Sequence, residues 1–107
     1  MQRQIPNRKL DDFSKNLSLC KALEVTTDDY LPLYHKGDLL LARNDVIPKL
    51  NDSVAVVFKD GRSLFATYVS HIGSRIILRD LLDHTSTEYI GAAAVENMAK
   101  IISVIHL

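Results

Sequence analysis

Val54-Ala55-Val56-Val57-Phe58-Lys59-Asp60-Gly61-Arg62-Ser63-Leu64-Phe65-Ala66-Thr67-Tyr68-Val69 is the stretch whose reading decides the fold class. Two runs rich in β-branched and aromatic side chains flank an Asp60-Gly61 pair. That arrangement predicts a β-hairpin, with Gly61 at the position of positive φ, where a residue carrying a Cβ is disfavoured. Downstream, residues 75–78 form another short apolar run and residues 88–91 a brief one, while residues 92–98 suit a bend or a single helical turn. The chain closes on Lys100-Ile101-Ile102-Ser103-Val104-Ile105-His106-Leu107, whose β-branched run predicts a strand buried on both faces.

Upstream of the hairpin, a loop at residues 44–52 follows the apolar run Leu39-Leu40-Leu41-Ala42. That run is fed by residues 26–38, which carry the turn formers Asp28, Asp29, Pro32, Gly37 and Asp38. In residues 17–25 the side chains Leu17, Leu19, Lys21, Leu23 and Val25 fall on one side of an alternating pattern. A half-buried strand fits this best, with a short helix as the alternative. Six or seven short strands at close spacing predict an all-β domain, a small barrel or sandwich spanning residues 16–107. Residues 1–15 are polar and carry Pro6, Asn7 and Asp11-Asp12, a composition expected of a flexible arm or linker.

Size and charge narrow the functional classes. A chain of 107 residues, 47% of them hydrophobic, holds one compact core rather than two. Thirteen basic and thirteen acidic side chains cancel, so no net charge draws the chain to nucleic acid or to an anionic membrane. The single cysteine, Cys20, excludes an internal disulfide framework and a thiolate pair for metal binding, which suits a reducing cytoplasm. No window approaches the ~18 apolar residues of a membrane span, so no membrane partner is expected.

Residues 25–43, Val-Thr-Thr-Asp-Asp-Tyr-Leu-Pro-Leu-Tyr-His-Lys-Gly-Asp-Leu-Leu-Leu-Ala-Arg, resemble the signature of LexA-like serine peptidases and of phage-type repressor C-terminal domains. In that signature an apolar residue and a turn precede Ser-Met-x-Pro, a short loop, Gly-Asp and an apolar strand. Pro32 and Gly37-Asp38 match its spacing; the Asn51-Asp52-Ser53 turn, the Asp60-Gly61 hairpin and a late strand follow in order, so the resemblance covers about residues 17–107. It implies a serine nucleophile three residues before the proline and a lysine base on the second hairpin strand. Here the serine position is Asp29, and the lysine position is Ala66 or Thr67. A carboxylate is a poor nucleophile toward an amide, and neither Ala nor Thr can serve as the base. The Ala-Gly or Cys-Gly bond that such proteins cleave is also missing upstream, where Cys20 is followed by Lys21 and the first glycine is Gly37.

The resemblance therefore implies a catalytically inactive, cofactor-free oligomerisation domain of a phage or mobile-element transcriptional repressor. Its partners would be a second copy or a higher homo-oligomer, DNA through a separate N-terminal domain, and an antirepressor or host protein. A twofold interface is expected through the terminal strand, at Ile101, Ile102, Val104, Ile105 and Leu107. Two alternatives are an autoproteolytic peptidase with displaced catalytic residues and a small β-barrel adaptor for another protein. Asp28, Asp29 and Asp38 are expected on a solvated loop rather than in a cation site. His35, His71, His84 and His106 lack metal-ligand spacing and are expected to be surface or packing residues, with no metal bound.

Overall fold

The computed structural model describes residues 20–107. The expected arm at 1–15, and the first residues of the expected first strand, lie outside them. Seven strands make one antiparallel sheet: β1 (Cys20–Glu24), β2 (Leu39–Arg43), β3 (Ser53–Phe58), β4 (Ser63–Ile72), β5 (Arg75–Arg79), β6 (Thr87–Gly91) and β7 (Val95–Ile105). Their order across the sheet is β1-β2-β7-β3-β4-β5-β6. The all-β expectation therefore holds, and among the described residues no helix is long and apolar enough to cross a membrane.

The predicted hairpin joins β3 to β4. The Gly61 N–H donates to the Phe58 carbonyl at 2.9 Å and the Phe58 N–H to the Arg62 carbonyl at 2.9 Å, with Gly61 at φ +92°. A type I turn followed by a left-handed glycine gives this three-residue connection. A second tight hairpin, not foreseen as one, joins β4 to β5 through Gly73-Ser74, with Ile72 opposite Arg75 and Gly73 at φ +58°. β4 thus runs three residues beyond the expected end at Val69.

The sheet is rolled rather than flat, and the link from β6 to β7 shows how tightly. The single 3-10 turn Ala92–Ala94 spans the tips of both hairpins: Ala92 N–H donates to the Ser74 carbonyl at 2.8 Å, and the Ala94 carbonyl accepts from Lys59 N–H at 2.9 Å. Two Cα steps cover at most ~8 Å, whereas the 10 residues of β4 between those tips would span ~33 Å if straight. β4 must bend, and its ladder to β5 is irregular between Tyr68 and Ser70. The roll brings β6 over the start of β4, where Ser63, Leu64, Tyr89 and Ile90 line one cleft.

Two apolar clusters result. Inside the roll, Val54, Val56, Ala66, Ile76 and Leu78 are buried, with Ile90, Val95 and Met98 packed on them. On the opposite face, Ala55 and Phe65 join Val25, Tyr34, Leu40 and Leu81. Because successive strand side chains point to opposite faces, β3 and the first half of β4 are buried on both sides.

That role was expected of the terminal strand, and the expectation is corrected. In β7 only Ala99 is buried, whereas Ile102, Ser103 and Ile105 are exposed. The cause is a change of ladder partner: β7 pairs with β3 from Val95 to Lys100 and with β2 from Lys100 to Ile105. Its ends therefore never share the doubly covered centre of the sheet. The expected bend at 92–98 is likewise shorter, since Val95 already begins the strand.

Candidate functional site

The loop between β1 and β2 supplies most of the chemistry-bearing side chains, and its neck explains why. Val25 N–H donates to the Asp38 carbonyl at 2.9 Å, and Gly37 N–H donates to the Val25 carbonyl at 2.8 Å. Gly37 does so at φ +95°, a conformation that side-chain-bearing residues rarely adopt. With its neck closed, the loop folds back over the Ala55/Phe65 face of the sheet. Tyr30 and Tyr34 pack on Phe65, with ring centroids 5.0 and 6.0 Å away, and Phe65 N–H donates to the Tyr30 hydroxyl at 3.1 Å. Burial raises both tyrosine pKa values; the Phe65 N–H opposes this at Tyr30, and a hydrogen bond with Ser53 opposes it at Tyr34.

Asp29 is exposed at the tip of the loop, its backbone N–H donating to Thr27 Oγ1 at 3.2 Å. Ala66 points into the roll with Val54 and Val56. Alternation from Phe65 then puts Thr67 on the loop side, opposite Ser53 in the β3–β4 ladder. Thr67 is buried on that face, whereas Asp29 is in solvent.

At the neck, Asp38 departs from the expected solvated turn residue. Its side chain is 3% exposed, and Oδ2 accepts from His35 N–H at 2.9 Å and lies 2.8 Å from His106 Nδ1. The His35 ring nitrogen Nδ1 is 3.6 Å from the same oxygen. The His35 backbone N–H, then the hydrogen bond and charge of His106, hold the Asp38 carboxyl below its ordinary pKa although burial opposes them. Register explains the meeting: Leu39 stands opposite Ile105, so the next residues outward, Asp38 and His106, face one another. Among the described residues, His35, Asp38 and His106 are the metal-ligating types that converge as a group of three, their ligand atoms within 4.8 Å of one another. Sequence spacing could not reveal this group, because 68 residues separate Asp38 from His106.

The five residues expected to form an interface divide by direction. Ile101 and Val104 pack against the Val25/Leu40 cluster. Ile102, Ile105 and Leu107 are 43, 39 and 85% exposed. Ile102 falls where the ladder to β2 slips, with Leu41 opposite Ser103 but Ala42 opposite Ile101.

Compared with protein-family models, with curated proteins and with solved structures, the chain matches none.

Proposed function

We propose that this chain is a non-catalytic self-association domain that pairs through the terminal half of β7, and that it serves a transcriptional repressor of the phage or mobile-element kind. One observation carries the self-association: Ile102 and Ile105 stand in solvent on a strand segment whose ladder partner is β2 alone, and Leu107 is exposed just beyond its end. Exposed apolar strand residues favour association, and a twofold contact closes them on a copy of themselves. The zero net charge of the whole chain opposes pairing little. Coupling two copies raises the effective concentration of a DNA-reading domain joined to each, without this domain touching DNA. The repressor context rests on the sequence resemblance.

The same reading has the peptidase chemistry lost, with an exposed carboxylate at position 29 and a buried alanine and threonine at 66 and 67. Sedimentation velocity across a concentration series tests the association. A dimer forming in the micromolar range is expected, and a monomer persisting at high micromolar concentration overturns the reading. Intact mass after prolonged incubation at alkaline pH is expected to show an uncut chain, and a single specific cut would restore the peptidase.

A further inference from the structure

We propose that His35, Asp38 and His106 form a binding site for a divalent transition cation of the zinc class, which clasps the end of β7 to the neck of the β1–β2 loop. Three features meet there. The donor set is two imidazoles and one carboxylate, which suits zinc and its borderline neighbours better than calcium or magnesium, cations that prefer all-oxygen shells.

The carboxylate is fixed in advance. Asp38 is buried, and its orientation is set by the His35 N–H and by the closed loop neck, so little freedom remains to be lost when a cation arrives. The imidazoles are presented rather than buried. Their side chains are 59 and 62% exposed, and both direct Nδ1 toward Asp38 Oδ2, with the rings nearly perpendicular and their centroids 6.0 Å apart. Ligand atoms 2.8 and 3.6 Å from the carboxylate oxygen bracket the ~3.3 Å edge of a tetrahedron built on zinc–nitrogen and zinc–oxygen bonds of about 2 Å. The three ligand atoms lie within 4.8 Å of one another, so rotation of the two exposed rings would bring both imidazoles to that edge and complete three protein ligands. A fourth position is left to water or to another donor, as in open zinc sites.

His106 lies between the interface residues Ile105 and Leu107, but metal binding is read by calorimetry and absorption rather than by sedimentation, so the two proposals fail separately. Tag-free full-length chain is titrated calorimetrically with zinc chloride, and cobalt(II) is added in parallel for its visible absorption. One equivalent of either metal is expected to bind, cobalt with the intense bands of four-coordinate geometry and zinc with a rise of several degrees in melting temperature, because a ligand of the folded state stabilises it by mass action. His35→Gln and His106→Gln are each expected to weaken zinc binding at least about tenfold, the scale on which even outer-shell changes act. His35→Gln keeps the backbone N–H that holds Asp38, so its metal-free melting is expected to match the parent chain within a few degrees, whereas His106→Gln also removes a side-chain partner of the buried carboxylate and is expected to melt lower. His71→Gln with His84→Gln is the control, expected to bind as the parent does. Absence of binding, binding unchanged by either histidine variant, or binding lost only in the control would each overturn the site.

Discussion

Asp38 is the residue whose environment departs furthest from what its type suggests. A buried carboxylate needs partners, and this one has the His35 N–H and the His106 ring. Its folded-state pKa lies below the ordinary value, so the unfolded chain takes up a proton at higher pH than the folded chain does. The resulting stability is present above the ordinary carboxylate pKa and is lost as pH falls through the depressed folded value. Urea unfolding followed from pH 6 down to about pH 2 is therefore expected to show a smaller acid-side decline in Asp38→Asn than in the parent chain, from a lower starting stability. Equal declines in the two proteins would mean that the carboxylate contributes nothing to the acid limb.

The tyrosines offer a second test at this scale. Tyr34→Phe removes the hydroxyl that bonds Ser53 and retains the ring against Phe65. A loss of about 1 kcal/mol is expected in denaturant titration, the usual net worth of one hydrogen bond.

Among the elements, the two hairpins separate what turn chemistry announces from what it leaves unread. Asp60-Gly61 was legible because the pair sits between strongly β-prone runs, and Gly61 does adopt the left-handed conformation. Gly73-Ser74 carries a related signal, glycine at the first position of a two-residue turn, yet Val69-Ser70-His71 before it lacks a clean alternation. A Cβ built on Gly61 meets nothing within 4 Å, so the cost of a substitution there is backbone strain alone. Gly61→Val is expected to lose about 1–2 kcal/mol in equilibrium unfolding, and Gly61→Asn distinctly less. The terminal strand was misread for a different reason. An Ile-Ile-x-Val-Ile run states that a strand is apolar, whereas burial on one face or two depends on which strands flank it. At Lys100 the flanking strand changes from β3 to β2.

Across the whole molecule, the rolled sheet splits the core into two clusters that meet at β3. Leu40 anchors one and Leu78 the other, both fully buried. Truncating either to alanine is expected to cost about 2–5 kcal/mol, a large part of the ~5–15 kcal/mol that holds a domain of this size. Thermal melts of Leu40→Ala and Leu78→Ala are expected to show a single lowered transition in each case, because β3 contributes side chains to both clusters; two separated transitions would mean that the clusters fold independently. Self-association also belongs to this scale. Ile102→Lys with Leu107→Lys is expected to abolish the proposed dimer in sedimentation while shifting stability by less than about 0.5 kcal/mol, as exposed substitutions usually do. Ile72→Lys, at an exposed position beside the β4–β5 turn, is expected to leave the dimer intact.

The sequence by itself determined the strand content, the β3–β4 hairpin, the Gly37-Asp38 turn into β2 and the absence of serine and lysine from positions 29, 66 and 67. All of these are local: side-chain period, glycine conformation and residue identity act within a few residues of one another. Only the tertiary structure decided that β3 rather than β7 is covered on both faces, that Thr67 rather than Ala66 lies on the loop side of the sheet, and that Ile101 and Val104 turn inward while Ile102, Ile105 and Leu107 turn out. It also decided that His106 meets Asp38 and His35. That meeting depends on the register between β2 and β7, in which Leu39 stands opposite Ile105. Register between strands so far apart in sequence is set by the packing of the whole rolled sheet, and no local pattern encodes it.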